Sequence, residues 1–364
     1  MDQFVFLLVV GGRFVLPLLI PRFPLPAVIA CLVLDGVDQT IFQLFGYDPP
    51  NYQSYDKAMD IFYLSLAYLA AMRNWDNLHA FAIARFLFYY RLFGAFLFEM
   101  THERAVLLIF PNTFEYFFIA YELVRTRWAT RPVRTRAWLI TAAAIWIFVK
   151  LPQEYWLHVA QLDVTDTLRD YPWTRWVLAI AIVGGTAVLW FVVRPRLPEP
   201  DHRLQLGAGP VPDAVSNETA VASLRVGNGW VWSWMTLEKV VLVGLVSVIY
   251  AQILPGIDDS NFRVFVSVGV LVVVNAGITL LASRREWTIE SASLAVAERI
   301  VANVVLVFAA DQFFGHNAAG WDTFFFLCLI SLITTLHDRY QPVYAYRERL
   351  SDVDSSNVAR RPIR

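Results

Sequence analysis

The stretch from Pro26 to Phe45, PAVIACLVLDGVDQTIFQLF, has the length and apolar content of a membrane-spanning helix, yet it contains Asp35 and Asp38. About 20 apolar residues cross a bilayer as a helix. An aspartate at the bilayer centre is unfavourable by roughly 2.5–3.5 kcal/mol. Helical spacing puts both aspartates on one face with Gln39 and Gln43. We therefore expect this face to lie against protein groups, water or a bound cation.

The whole chain has the composition of a multi-pass membrane protein. Of its 364 residues, 57% are hydrophobic and only 17% are charged. In a soluble domain about a quarter of the residues are charged. About eleven segments are apolar enough to cross a bilayer. They are residues 3–20, 26–46, 56–73, 78–99, 104–124, 137–151, 175–194, 234–254, 262–283, 294–314 and 321–337. The sequence therefore predicts an all-α, polytopic integral membrane helix bundle with about 10–11 transmembrane helices. A net charge of −1 argues against a nucleic-acid partner, so membrane lipids are the expected partners.

The loop 125–136 predicts the orientation of the chain in the plasma membrane. It carries five arginines, and loops rich in Lys and Arg stay in the cytoplasm. Counting segments from this loop also places the C-terminus in the cytoplasm. Segment 3–20 is interrupted by Gly11-Gly12-Arg13, so it either spans the membrane or lies along the interface.

Polar residues are distributed unevenly and divide the chain into five parts. Residues 1–172 are predicted to form a polar-cored membrane domain that carries the functional site, and 173–194 a single transmembrane helix. The Pro- and Gly-rich stretch 195–232 reads as a cytoplasmic linker. Residues 233–340 read as an apolar membrane scaffold, which could support a homodimer through these C-terminal helices. The charged residues 341–364 are predicted to be a disordered tail.

Two more aspartates, Asp56 and Asp60, lie one turn apart at the start of the third apolar segment. With Asp35 and Asp38 they place four carboxylates on two consecutive helices, and we predict that the four converge. Carboxylates arranged in this way can bind a hard divalent cation such as Mg²⁺ or Mn²⁺. In the alternative interpretation, Asp56 caps its helix and the aspartates of the second segment pair with arginines.

The spacing of these four aspartates resembles that of the CDP-alcohol phosphotransferases. The resemblance implies that Asp35, Asp38, Asp56 and Asp60 bind the metals, and that Asp60 also acts as a general base toward an alcohol. It covers residues 26–60 and only the aspartates, because the glycines and the Ala-Arg pair of the family's motif are absent.

Three further charged residues in apolar segments are candidates for substrate binding. Arg85 and Arg91 could hold a phosphate, since a guanidinium binds phosphate through two hydrogen bonds. An ion pair between helices is the alternative role. Glu115 follows Pro111-Asn112, which predicts a kink or discontinuity whose freed backbone groups can line a cavity.

Glu154 and His158 are predicted to share one face of a short helix that follows Pro152. With Asp60 they are the candidate catalytic residues, because a His–Glu pair can act as general acid and base. A Glu–His hydrogen bond at the membrane interface is the alternative.

Three functional classes fit this pattern. The first is a metal-assisted enzyme acting on a lipid or lipid-linked phosphate, resembling a phosphotransferase. The second is an ion- or proton-coupled transporter, since charged residues inside a membrane also form coupling sites. The third is a non-catalytic assembly protein whose buried charges only determine helix pairing.

Overall fold

The computed structural model describes residues 2–45, 52–103, 105–156, 170–212, 234–253 and 321–359, together with 167, 215, 300, 301 and 304. Every regular element in these ranges is helical, which confirms the predicted all-α class. The helices are α1 (Asp2–Val15), α2 (Pro24–Leu44), α3 (Tyr52–Asn74), α4 (Leu78–Thr101), α5 (Ala105–Ile109), α6 (Thr113–Arg125), α7 (Thr135–Ile145), α8 (Leu151–Glu154), α9 (Trp173–Val188), α10 (Trp234–Ile253) and α11 (Trp321–Ala359).

Four helical stretches in the described part of the chain are long and apolar enough to cross a membrane. They are Leu78–Thr101, Ala105–Arg125, Thr135–Glu154 and Trp173–Arg196. Each coincides with a predicted apolar segment. The predicted segment 262–283 lies outside the described residues, and so does nearly all of 294–314.

Helix α3 is the centre of the bundle. Every residue from Ile61 to Met72 is buried, and α3 packs against α1, α2, α4, α6, α10 and α11. A helix that is apolar on all sides is buried on all sides, and small residues such as Ala67 and Ala71 let neighbouring helices come close. The polar groups of this buried part of α3 must therefore find their partners inside the bundle.

The predicted discontinuity at Pro111 is present, as a break between α5 and α6. Proline donates no backbone hydrogen bond and disfavours a helical conformation in the residue before it. Side chains of α4 satisfy the carbonyl groups that the break frees. The Tyr90 hydroxyl donates to the Ile109 carbonyl at 2.9 Å, and Arg91 donates to the Phe110 carbonyl at 3.2 Å. The break is therefore stabilised within the fold, because both freed carbonyl groups have a hydrogen-bond donor.

Three helix connections meet at one end of the bundle, namely 20–23, 75–77 and 126–134. The Asn74 amide donates to the Pro21 carbonyl at 3.2 Å. The Asn77 amide donates to the Thr130 carbonyl at 2.9 Å. The first hydrogen bond joins the end of α3 to the α1–α2 connection, and the second joins the α3–α4 connection to the α6–α7 connection. We call this end of the bundle the arginine-rich end.

The first part of the predicted cytoplasmic linker lies across this end. We call residues 198–209 the end strap. The Gln205 amide donates to the Thr126 carbonyl at 3.0 Å, and the Ala208 amide donates to the Arg22 carbonyl at 2.7 Å. The strap therefore covers the connections with its own backbone.

Helices α10 and α11 pack against α3, α4 and each other. Lys239 on α10 forms an ion pair with Asp338 on α11 at 2.8 Å. Arg347 pairs with Asp76 at 3.2 Å; burial lowers the pKa of Arg347 and the Asp76 carboxylate opposes that shift. Helix α11 continues to Ala359, through most of the segment predicted to be a disordered tail.

Gly94 on α4 allows the helix break to approach closely, so Gly94→Ala should destabilise the protein. A methyl group there would lie 2.6 Å from Phe110 Cγ and closer still to its Cβ. Overpacking of this kind costs about 1–3 kcal/mol. We expect a lower thermal midpoint in detergent.

Gly36→Ala on α2 is the matched control for this substitution. Nothing lies within 4 Å of the added methyl group, so the midpoint should stay the same or rise slightly, as alanine favours helices. Equal midpoints for the two variants would contradict the close approach at Gly94.

Candidate functional site

Arg13 is surrounded by three of the four predicted aspartates. Its Nη1 donates to Asp38 Oδ2 at 2.5 Å, and its Nη2 donates to Asp60 Oδ1 at 3.1 Å and to Asp35. The side chains of Arg13 and Asp38 are 4% and 0% exposed, whereas those of Asp35 and Asp60 are 30% and 27% exposed. We call these four residues the Arg13 cluster.

Three helices position the Arg13 cluster. Asp35 and Asp38 lie one turn apart on α2, and Asp60 lies on α3, which packs against both α1 and α2. Helix α1 approaches α2 at Gly12, where an added methyl group would lie 3.1 Å from Leu34 Cδ2. This approach brings the neighbouring Arg13 within reach of the carboxylates.

The aspartates therefore converge around a guanidinium. Among the side chains that the structure describes, no group of three or more His, Cys, Asp or Glu residues is arranged to hold a metal ion. The side chain of Asp56 lies outside the described residues, although its backbone belongs to α3. Binding of Mg²⁺ or Mn²⁺ stays a prediction. The alternative role of the α2 aspartates, pairing with an arginine, is present, and the partner is Arg13.

A second polar group lies at the break between α5 and α6. The Tyr63 hydroxyl, about one turn from Asp60 on α3, donates to the Glu115 carboxylate. The Asn112 amide donates to Glu115 Oε2 at 2.8 Å. The Asn112 backbone amide donates to Glu154 Oε1 at 3.3 Å. The two predicted residues Glu115 and Glu154 thus meet at Asn112, beside the break.

Lys150 completes this second group. Its Nζ lies 3.9 Å from Glu115 Oε2 and donates to Gln153 Oε1 at 3.1 Å. It also lies 4.3 Å from the centre of the Tyr116 ring, a cation–π contact. Lys150 is only 4% exposed. We call the residues that meet here the break cluster; they are Tyr63, Asn112, Glu115, Lys150 and Glu154.

A wide helical turn delivers Lys150 to the break cluster. Residues Trp146–Lys150 form a π-helix between α7 and α8. Pro152 follows two residues after Lys150. It has no backbone N–H to donate, and in a regular α-helix its ring would clash with the carbonyl four residues earlier. Turns of this type are frequent at functional sites.

Tyr63 lies between the two clusters, since it donates to Glu115 and lies about one turn from Asp60 on α3. We call the two clusters together the buried network, and its described acidic groups outnumber its described basic groups. Together with Arg91, the described members comprise five carboxyl groups and three basic groups, an excess of two. The carboxyl groups are those of Asp35, Asp38, Asp60, Glu115 and Glu154. Three carboxylates around a single guanidinium repel one another, and binding of a proton or another cation relieves that repulsion.

Arg85, predicted to bind substrate, lies in a different environment. Its Nε is 3.5 Å from Glu238 Oε1 on α10, and its guanidinium lies 5.0 Å from the ring centres of both Phe81 and Tyr344. The Tyr68 hydroxyl donates to the same Glu238 carboxylate. The ion pair joins α4 to α10, the alternative role considered for this arginine. The segment 233–340, predicted to be an apolar scaffold, thus supplies an acid whose side chain is only 10% exposed.

The remaining predicted residues are placed as follows. Arg91 donates to the carbonyl of Phe110 at the helix break, so its guanidinium supports the backbone there. His158 lies outside the described residues, and the proposed Glu154–His158 pair with it. The catalytic, substrate-binding and metal-binding roles of all these residues stay predictions.

Sequence reasoning missed Arg13 and Lys150 as members of the site. The signal for Arg13 was its position as a lone arginine inside the apolar segment 3–20. Charged groups inside a membrane face protein partners, so segment 3–20 had to contribute to the polar interior if it crossed the membrane.

No protein-family model, curated protein or solved structure matches the chain.

Replacing Arg13 should destabilise the bundle because it leaves three gathered carboxylates without their common partner. Loss of one member of a buried ion pair costs about 3–5 kcal/mol. We expect Arg13→Met to lower the thermal midpoint in detergent markedly at neutral pH. The loss should be smaller at acid pH, since protonation removes the repulsion between the carboxylates.

Arg22→Met is the control, because Arg22 is an exposed arginine in the connection between α1 and α2. Surface substitutions usually change stability by about 0.5 kcal/mol or less. If both variants melt at the wild-type temperature, Arg13 is not the common partner of the aspartates.

Proposed function

We propose that this chain is a multi-pass protein of the plasma membrane that couples transport to the binding and release of protons in its buried network. In this proposal the apolar segments of the sequence form about 10–11 transmembrane helices, of which the structure describes four that are long and apolar enough to cross. The arginine-rich end faces the cytoplasm under the positive-inside rule, and with it Arg347 near the C-terminus, which pairs with Asp76 at that end.

The Arg13 cluster carries this proposal. Three carboxylates share one guanidinium in the interior of an apolar bundle. An excess of negative charge in such surroundings is costly, and acidic residues within membrane segments are a recurring feature of proton relays. The Arg13 cluster is negatively charged without a bound proton and closer to neutral with one, so it can exchange protons with water.

Partial exposure gives the cluster a route for that exchange. The side chains of Asp35 and Asp60 are 30% and 27% exposed, whereas that of Asp38 is fully buried. We assign the first two as the groups that contact water. The end strap covers the arginine-rich end, so the route we favour leads toward the opposite end.

The helix break supports the same function. In transporters, binding and coupling sites often lie beside discontinuous helices, because such helices offer free backbone groups at membrane depth. Glu115 lies in the first turn of α6 and accepts from Tyr63. We propose that Tyr63 passes protons between the Arg13 cluster and Glu115.

Proton flux into proteoliposomes tests this function. A pH-sensitive dye inside vesicles should report proton uptake under an imposed membrane potential with wild-type protein. Asp60→Asn removes one exchangeable carboxylate and should reduce the flux to that of protein-free vesicles. Glu103→Gln, which changes an exposed carboxylate, should keep the wild-type flux. Wild-type flux no higher than that of protein-free vesicles would contradict proton transport.

A metal-assisted enzyme acting on a lipid or lipid-linked phosphate is the second candidate. The observation that favours it is the gathering of Asp35, Asp38 and Asp60, with Asp56 one turn from Asp60 on α3. For this function, Mg²⁺ or Mn²⁺ would have to displace the Arg13 guanidinium from the carboxylates. The metal would then supply Lewis acidity toward a phosphate.

Thermal melts with and without metal separate the two candidates. If the enzyme function is correct, Mg²⁺ or Mn²⁺ raises the melting temperature of the wild type, since ligands that bind the folded state stabilise it. Asp38→Asn should abolish that rise. Proton coupling predicts instead a wild type whose melting temperature is the same with metal and with a chelator.

A further inference from the structure

The arginine-rich end carries a large unbalanced positive surface. We define the arginine surface as the exposed basic residues in the connections 20–23 and 126–136 and in residues 194–209. Eight exposed arginines and two exposed acidic residues lie there, so the formal charge is 8 − 2 = +6. The arginines are Arg22, Arg127, Arg131, Arg134, Arg136, Arg194, Arg196 and Arg203.

Hydrogen bonds bring the separate parts of this surface together. The backbone amide of Asp201 donates to the Arg127 carbonyl at 3.0 Å. The Trp128 indole donates to the Pro198 carbonyl at 3.2 Å. One of the two acids, Asp201, accepts from the Ala129 amide at 2.8 Å, so its carboxylate also joins the end strap to this connection.

Several of the arginines have free guanidinium groups. Within the described part of the chain, Arg127, Arg134, Arg136 and Arg203 form no ion pair, although all four are exposed. By contrast, Arg125 beside them is paired with Glu122 at 2.6 Å. Four unpaired guanidinium groups on one surface attract anions.

The position of the surface identifies the anion. Six of the eight arginines, all except Arg22 and Arg203, lie in or between the ends of three helical stretches that are apolar enough to cross a membrane. These stretches are Ala105–Arg125, Thr135–Glu154 and Trp173–Arg196. Residues at the ends of such helices lie at the depth of the lipid headgroups. Trp190, exposed beside Arg194 with the guanidinium 4.1 Å from its ring centre, is typical of that interface.

We propose that the arginine surface binds the phosphate headgroups of anionic phospholipids in the adjoining leaflet. This inference needs the helices to cross a membrane but does not depend on proton coupling. Each basic residue near an anionic leaflet contributes about fivefold in affinity. Bound headgroups would hold the connection 126–136 and the end strap in place, and thereby stabilise this end of the bundle.

The test compares lipids of equal chain length added to the purified full-length protein in a neutral detergent. Dimyristoyl phosphatidylglycerol should raise the thermal midpoint more than dimyristoyl phosphatidylcholine, and native mass spectrometry should find the anionic lipid retained. The combined variant Arg127→Gln, Arg134→Gln, Arg136→Gln and Arg203→Gln should lose this preference. Arg175→Gln, at the opposite end of α9, should keep it.

Two further measurements keep the proposal falsifiable. Added salt should weaken the effect of phosphatidylglycerol on the wild type, because headgroup binding of this kind is electrostatic; this holds even if the combined variant fails to fold. Equal stabilisation by both lipids, or a preference that survives in the combined variant, would overturn the proposal. So would equal stabilisation by soluble glycerol phosphate, which would assign the surface to a free phosphate compound.

Discussion

The ion pairs of Arg13 with Asp35, Asp38 and Asp60 are the interaction on which the arrangement of the first three helices depends. An unpaired arginine or aspartate in apolar surroundings is unfavourable, so α1, α2 and α3 pack with these faces toward one another. Burial of a charge pair is not in itself strongly stabilising, because desolvation offsets the attraction. Its role is specificity, since other pairings of these helices would leave a charge unmatched.

The need of buried polar groups for partners also explains the position of the helix break. A break inside a membrane protein exposes backbone groups that only protein groups or internal water can satisfy. Tyr90, Arg91 and Glu154 supply these partners, and Glu115 receives hydrogen bonds from Tyr63 and Asn112. Backbone irregularity and buried charge thus support each other, and α3 places the Arg13 cluster and the break cluster about one helical turn apart, through Asp60 and Tyr63.

The sequence predicted the all-helical class, the convergence of the aspartates on α2 and α3, and the discontinuity at Pro111. These features follow from local patterns, namely apolar length, helical periodicity and the chemistry of proline. The sequence did not predict which side chains pair with the buried charged residues. Arg13 meets the aspartates only because α1 packs into the bundle, and the pairing of Arg85 with Glu238 joins residues 153 apart (238 − 85) in the chain. Such pairings depend on tertiary packing, which residue spacing alone does not specify.

The central claim is that the described acidic groups of the buried network outnumber its described basic groups and that the network holds a proton. Infrared spectroscopy of the purified protein in metal-free buffer at neutral pH measures this directly, because protonated and ionised carboxyl groups absorb at different frequencies. We predict a carboxylic acid band that shifts when aspartate is isotopically labelled and weakens in Asp60→Asn. A spectrum without a carboxylic acid band at neutral pH would contradict the claim.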